Sequence, residues 1–260
     1  MLQFDDLAAS FEALGVPGPV IAHASLASFG EVDGGAATVA RALVAVFKGV
    51  MMPTFTYKTM IVPGTGPAGN GLAYGAFTDQ NKMAEFWSPG MPADKMMGII
   101  PETLRQLPGA CRSAHPVLSF AGVGVDHLLG LQTLAAPLAP IKGLADAGGS
   151  VILLGVNHSA NTGIHLAEKL AGRKTFTRWA LTPGGAVSVP DFPGCSNGFE
   201  GLAAHFEGIL HRGWAGSSLA QAFPLREMLE IAKAEFCQKP QGWLCSQLDC
   251  GRCNAVRGTL

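Results

Sequence analysis

Residues Ser150 to Gly172 read SVILLGVNHSANTGIHLAEKLAG, and this stretch decides the fold. Val151 to Val156 is an apolar run of strand length beside Gly149 and Gly155, the pattern of a buried strand. A polar loop follows, Asn157-His158-Ser159-Ala160-Asn161. Thr162 stands at the expected N-cap of a helix, and Gly172 lies just past its last apolar position, where a C′ residue belongs. A buried strand feeding a helix through a short loop is a unit of an α/β fold. His165 falls in the first helical turn, at the carboxyl end of that strand, where open α/β sheets bind ligands.

That position bears on chemistry. The positive end of the helix dipole disfavours an imidazolium at His165. Glu168, three residues on along the same helical face, favours one. An imidazole balanced between the two can take a proton near neutral pH. A buried histidine bonded to backbone satisfies the same spacing, so spacing alone leaves a catalytic and a structural reading open.

Working outward, the 260-residue chain is 48% hydrophobic and only 14% charged, which predicts a sizeable buried core. Its 34 glycines and 17 prolines predict many tight turns. No apolar run is long enough to span a bilayer, and no basic-then-apolar leader precedes the first helix. A net charge of −1 argues against nucleic-acid or acidic-lipid partners. The expectation is a soluble, cytoplasmic, enzyme-like protein, and a homo-oligomer is compatible with it. The six cysteines are too sparse for a disulfide scaffold, and three of them crowd into the last sixteen residues.

In chain order, an amphipathic helix within Met1 to Leu14 precedes a strand at Pro19 to His23. The small-residue loop Ala24-Ser25-Leu26-Ala27-Ser28-Phe29-Gly30 then leads through Val32-Asp33-Gly34-Gly35 into a helix ending near Ala45. Such a loop can hold a phosphate or thioester oxygen with N–H groups and hydroxyls, although any tight βα turn uses the same residues. Val50 to Tyr57 reads as a strand, and Ile61 to Gly90 as a long irregular segment suited to a substrate wall. A helix at Gly98 to Leu107 is followed by Arg112, Ser113 and His115 beside the rigid His115-Pro116 step, then a strand at Val117 to Val125. A connector and short helix at Pro137 to Ala147 lead into the central strand. Beyond Gly172, runs at Lys174 to Leu181 and Ala186 to Val189 flank a hairpin turn. A helix is expected from Asn197 and another over Pro224 to Phe236. With no internal repeat or linker, residues 1–260 read as one α/β domain: a central mixed sheet flanked by helices, with an additional β-hairpin and a helical C-terminal part.

Five ordered stretches resemble the antibiotic N-acetyltransferase family, the aminoglycoside 3-N-acetyltransferases. They are HASLASFG with VDGG (23–35), MPTFT (52–56), RSAHPVLSF (112–120), LLGVNHSANTGIHLAE (153–168) and the CGRC ending (250–253). The resemblance implies acetyl-CoA as donor, an aminoglycoside-like amine as acceptor, and His165 as the catalytic histidine. It implies an acidic partner after the hairpin, which falls on Asp191, with Glu168 as the rival. A further acid, Asp79, is implied in the irregular loop, where Glu85 is the other carboxylate. On the donor side it implies His23, Ser25, Leu26, Ala27, Ser28, Phe29 and Gly30, together with Thr54, Arg112, Ser113, His115 and Phe120. Family members often carry an arginine at the position of Ala27.

An amine must lose a proton before it attacks a thioester, which suits His165 as general base with Asp191 or Glu168 orienting its ring. The spacing of Cys250 and Cys253 suits two thiolates on one Zn²⁺, and Cys245 with Cys195 would complete a Cys₄ site. Free or redox-active thiols fit that spacing as well. Two other functions stay open: a thioester hydrolase, disfavoured because no G-x-S-x-G elbow occurs, and a CoA-binding sensor without turnover.

Overall fold

The computed structural model describes residues 1–75 and 81–259. Its centre is a seven-stranded mixed sheet in the order β4-β5-β2-β1-β6-β10-β9. The strands are β1 (Val20–Ala24), β2 (Val50–Pro53), β4 (Ala110–Arg112), β5 (Phe120–Val123), β6 (Ser150–Leu154), β9 (His211–Ala215) and β10 (Ser218–Pro224). β1, β2 and β6 run parallel, whereas β5 and β10 are antiparallel to their inner neighbours. A second sheet joins β3 (Met60–Ile61) to the hairpin β7 (Phe176–Thr182) and β8 (Gly185–Phe192).

The buried strands alternate their side chains between two cores, as the period of two requires. Val151 and Leu153 of β6 join one core, with Ile141, Leu144, Ile164 and Ala167 from the helices Ala139–Asp146 and Thr162–Leu170. Ile152 and Leu154 join the other, with Leu7, Phe11, Val39 and Leu43 from the helices Phe4–Glu12 and Gly35–Val46. Both faces of β6 are covered, so the continuous apolar reading of this strand is what the sheet demands.

This arrangement creates the site. From β1 the chain crosses one face of the sheet to β2; β6, β1's other neighbour, leads into the helix Thr162–Leu170 on the opposite face. The two crossovers diverge at the carboxyl ends of adjacent parallel strands, and a crevice opens there. Gly155 ends β6 at φ +63°, and a Cβ at this glycine would lie 1.9 Å from Ser28 Oγ. Only glycine lets the two crossovers approach this closely.

Several elements depart from the sequence reading. The strand expected over Val50 to Tyr57 stops at Pro53, and Tyr57–Thr59 is a 3₁₀ turn. The helix expected from Asn197 is a 3₁₀ run over Phe199–Ile209. Its buried residues Phe199, Leu202 and Phe206 are spaced three and four apart, which is why the sequence reads as an α-helix, while Gly201 and Gly208 weaken that alternative. The hairpin β9–β10 was not expected, although Gly216-Ser217 between two runs is a turn signal. Among the described residues no helix is long and apolar enough to cross a membrane.

Candidate active site

The helix Thr162–Leu170 is built to present His165. Its N-cap is Asn161, not Thr162: the Asn161 side chain accepts a hydrogen bond from the Gly163 N–H at 3.0 Å. The other end is a Schellman turn, in which the Gly172 N–H donates to Lys169 O and the Arg173 N–H to Glu168 O. Gly172 supplies the left-handed φ of +76° that this turn needs. The chain folds back on itself there, and the Arg173 side chain returns to Glu168.

A three-residue chain of contacts results. His165 Nδ1 lies 2.6 Å from Glu168 Oε2, and Arg173 Nη1 donates to Glu168 Oε1 at 3.0 Å. The same guanidinium donates through Nη2 to the Gly242 carbonyl at 2.5 Å and covers the Phe236 ring at 4.7 Å. The side chains of His165, Glu168 and Arg173 retain only 11%, 8% and 4% of their exposure. The Phe199 ring packs against the imidazole at 4.8 Å. With Nδ1 committed to the carboxylate, Nε2 is the nitrogen left for a ligand.

His165 lines a cavity of about 540 Å³ at the crevice between β1 and β6. Ala22, His23 and Ala24 border it from β1, and Val156 and Ser159 to Thr162 from the loop after β6. Tyr57, Met96 and Met97 border it from the 3₁₀ turns Tyr57–Thr59 and Lys95–Met97, and Phe192 to Asn197 together with Gln247, Cys250 and Arg252 from the C-terminal half. No described residue of the irregular segment Ile61 to Gly90, expected as a substrate wall, lines it. Burial pushes the Tyr57 phenol up to about 12, so it stays a donor. Burial, aided by His158, drives His23 down to about 3, which keeps it neutral, and its Nε2 has no partner among the described residues.

The expected donor-side residues divide. The loop Ser25 to Gly30 lies against the crossover after β6: Ser28 Oγ donates to Ser25 O at 2.7 Å and meets Ser218 Oγ at 2.9 Å. Of the expected donor-side residues only His23 lines the cavity; Ser25 to Gly30, Thr54, Arg112, Ser113, His115 and Phe120 are not among the lining residues. Arg112 bonds to Thr54 O, Ser119 Oγ and the carbonyls of Pro89 and Met91. Ser113 pairs with the Phe120 backbone, and His115 Nδ1 accepts from the Val117 and Leu118 N–H groups. Burial takes His115 down to about 4. Phe120 packs edge-on against Phe55, which does line the cavity. These residues brace the wall from behind.

The acid expected beside His165 is Glu168 in this geometry. Asp191 points elsewhere, accepting from Lys169 Nζ at 2.6 Å and from Thr175 Oγ1 at 3.0 Å, with φ +55°. Asp79 lies outside the described residues, and Glu85 pairs with Lys58 at 3.2 Å. Cys195, Cys245, Cys250 and Cys253 converge, their sulfurs all within 4.8 Å of one another. Burial raises the Cys195 and Cys253 thiols. It also acts to raise Cys250, but hydrogen bonds from the Cys253 backbone and the neighbouring thiols outweigh it and bring Cys250 down to about 7. Sequence reasoning missed Arg173, Tyr57 and Arg252. A charged residue just past a C′ glycine, five positions after a glutamate, is the signal that would have found Arg173.

A three-layer α/β architecture with a buried His–Glu–Arg chain facing a crevice at adjacent strand ends is the class that fold and site define. The chain belongs to the aminoglycoside 3-N-acetyltransferase family, whose sequence pattern matches residues 21–236. It is similar to the aminoglycoside N(3)-acetyltransferase III of Serratia marcescens, at 32% identity over 72% of this chain and 73% of that one. A Salmonella enzyme of the same name is 34% identical over 58% of this chain, a match spanning about half, 54%, of its length. Among solved structures, the aminoglycoside acetyltransferase AAC(3)-IVa apoenzyme superimposes with a TM-score of 0.80 at 24% identity, covering 99% of this chain and 98% of that one. AAC-IIIb bound to CoASH does so with a TM-score of 0.76 at 21% identity, over 92% and 97%. These structures share the fold.

Proposed function

We propose that this protein transfers the acetyl group of acetyl-CoA directly to an amine of an aminoglycoside-like acceptor, with His165 as general base. One observation carries the reading: His165 faces the cavity while its Nδ1 is held at 2.6 Å by a buried carboxylate. Glu168 selects the Nδ1–H tautomer and stabilises the imidazolium that forms, so the lone pair at Nε2 points at the ligand. The acceptor ammonium first gives up one proton to solvent; the neutral amine attacks the thioester carbonyl, a C–N bond forms, the carbonyl electrons move to oxygen, and the surplus proton on nitrogen passes to Nε2. The intermediate then expels CoA thiolate, the C–S bond breaks, and the imidazolium returns the proton to sulfur. No enzyme nucleophile is needed. Such a base is worth about 10²- to 10⁴-fold in rate.

The residues His23 and Ser25 to Gly30 take the donor side in this reading, since helix-entry loops of small residues suit phosphate and thioester oxygens. Thr54, Arg112, Ser113, His115 and Phe120 act by bracing that wall. No carboxylate is among the described lining residues, so neutral groups such as Tyr57, Asn197 and Gln247 recognise the acceptor there. The protein works in the cytoplasm, where acetyl-CoA is made and used. The four converging cysteines bind a structural Zn²⁺, supported by an all-sulfur donor set.

Chromatographic quantification of CoA released from acetyl-CoA, with and without a panel of aminoglycosides and simple amines, tests the activity. Amine-dependent release is expected, and His165→Ala should lower kcat by about 10²- to 10⁴-fold with acetyl-CoA affinity unchanged. Release without any amine would make the protein a thioester hydrolase. Binding without release would make it a sensor.

A further inference from the structure

The segment 239–250, between the helices Leu225–Gln238 and Gly251–Arg257, and the loop after β8 have little regular structure to hold them. Residues 239–250 contain only turns and bends, yet Gln247 and Cys250 from this segment and Arg252 just beyond it wall the cavity beside Gly194 to Asn197. Arg252 and the cysteines tie the two segments together. Arg252 Nη1 donates to Gly194 O at 2.8 Å, and Cys195 meets the sulfurs of Cys245, Cys250 and Cys253. Cys195, Cys245 and Cys253 are buried and Cys250 is half-buried. A tetrahedral Zn²⁺ with bonds of about 2.3 Å separates its sulfurs by about 3.8 Å, so sulfurs within 4.8 Å close on such an ion by small side-chain rotations.

The segment also reaches the reacting histidine. Gly242, three residues before Cys245, receives Arg173 Nη2, and Arg173 Nη1 holds the carboxylate that holds His165. Between Gly242 and Cys245 lies Trp243 at φ +60°, one of two non-glycine residues with positive φ among those described. A tryptophan in that region costs of order 1–3 kcal/mol and persists only where its surroundings fix it. Its neighbours are fixed on one side by Arg173 and on the other by the cysteine cluster.

We infer that Zn²⁺ bound by Cys195, Cys245, Cys250 and Cys253 fixes the 239–250 segment and, through the Gly242 carbonyl and Arg173, sets the orientation of Glu168 and His165. Arg173 is then a positioning residue. Its guanidinium holds Glu168 and Gly242 with two nitrogens of a rigid planar fork, a geometry that the rotatable point charge of a lysine does not reproduce. The coupling to rate rests on His165 being the base, as proposed above; the metal site itself does not.

The test begins with protein purified under reductant and analysed for metal. One zinc per chain is expected, with four of the six thiols protected from a disulfide reagent until a chelator such as 1,10-phenanthroline is added. Cys253→Ser should lower the zinc content, and if it does not fold, chelation of the native protein gives the same readout. Metal-free protein after growth in zinc, or a cysteine pair recovered as a disulfide, overturns the site. Zinc removal should then lower kcat at least about tenfold, leave the acetyl-CoA KM within about twofold, and be reversed by added Zn²⁺. Arg173→Lys should keep its zinc, show the lowered kcat already, and lose little more on chelation. An unchanged kcat after chelation, or the same fold-loss in Arg173→Lys as in the native protein, overturns the coupling while leaving the site. If His165→Ala is fully active, the base assignment fails instead, and zinc content with thiol protection still judges the site.

Discussion

Two strand-to-helix crossovers stand side by side at the carboxyl edge of the central sheet, alike in shape and opposite in content. After β1 comes a 3₁₀ turn, Leu26–Phe29, and then the helix Gly35–Val46; after β6 comes a 3₁₀ turn, His158–Ala160, and then the helix Thr162–Leu170. The first offers small residues and hydroxyls, and Ser28 spends its hydroxyl on its neighbours. The second offers imidazoles and a carboxylate: His158, whose backbone N–H is taken by Glu200, and His165 held by Glu168. Local geometry at the two places solves the same problem of leaving a strand and entering a helix. What separates them is residue type, and on the function proposed above the first sits on the donor side while the second moves the proton.

The largest expected effect follows from removing that chemical content without changing shape. Glu168→Gln keeps the volume but lets an amide N–H face Nδ1, which places the imidazole proton on Nε2, the wrong nitrogen. By the logic of an oriented catalytic histidine, kcat should fall by on the order of 10²-fold or more with little change in acetyl-CoA affinity. Steady-state kinetics with an amine that turns over in the native protein would check it. A Glu168→Gln enzyme within twofold of native would assign the orienting role elsewhere and dissolve the contrast between the crossovers.

Next comes the seam where they touch. Gly155→Ala would place a methyl 1.9 Å from Ser28 Oγ and 2.1 Å from Ser28 Cβ, at a backbone φ of +63°. The two nearest atoms belong to Ser28 in the turn after β1, with Ser218 Oγ of β10 next at 2.9 Å, so the strain enters that turn first. A loss of about 1–3 kcal/mol in unfolding free energy is expected, together with weaker acetyl-CoA binding. Ser28→Gly combined with Gly155→Ala should recover part of it. No recovery in the double variant would mean that the φ angle, not the contact, sets the cost.

How much of this was legible beforehand differs between the crossovers too. The apolar run of β6, the glycine at 172 and the proximity of Glu168 to His165 are readable, because strand burial, a C′ glycine and an i,i+3 helix pair are local rules. Arg173 was not read, because its role arises only once the Schellman turn folds the chain back over Glu168. Arg112 and His115 were read as donor contacts from a family motif; the backbone carbonyls and N–H groups they bind come from segments distant in sequence or from the turn they stabilise. The cysteine grouping was legible in composition and spacing, while the convergence of Cys195 on the tail depended on the path of the hairpin.

A pH-graded effect concerns the histidines of the site. His23 at the end of β1 and His115 behind the wall titrate at about 3 and about 4 in the folded protein, chiefly because burial penalises their charged forms. Their folded values lie below the unfolded value of 6.5, so above that pH both states are neutral and full stability is present. As pH falls below 6.5 the unfolded chain takes up protons that the folded one refuses, and stability is lost down to about 4 for His115 and about 3 for His23. Each contributes a slope of up to about 1.4 kcal/mol per pH unit. Denaturant titrations at pH 7, 6 and 5, above the range where most carboxylates protonate, should show this decline. A flat stability over that range would mean that these imidazoles are not held neutral.

The smallest effect is the one that decides between the two acids. Asp191 was a candidate to orient His165, but its oxygens are engaged by Lys169 and Thr175, and about a third of its side chain is exposed. An exposed pair of this kind is worth at most about 1 kcal/mol. Asparagine tolerates the positive φ at this position as well as aspartate does. Asp191→Asn therefore removes a charge and little else. Its kcat should stay within about twofold of native and its unfolding free energy within about 1 kcal/mol. If instead Asp191→Asn abolishes turnover while Glu168→Gln does not, the carboxylate that matters sits across the hairpin, and the helix after β6 only carries the imidazole to it.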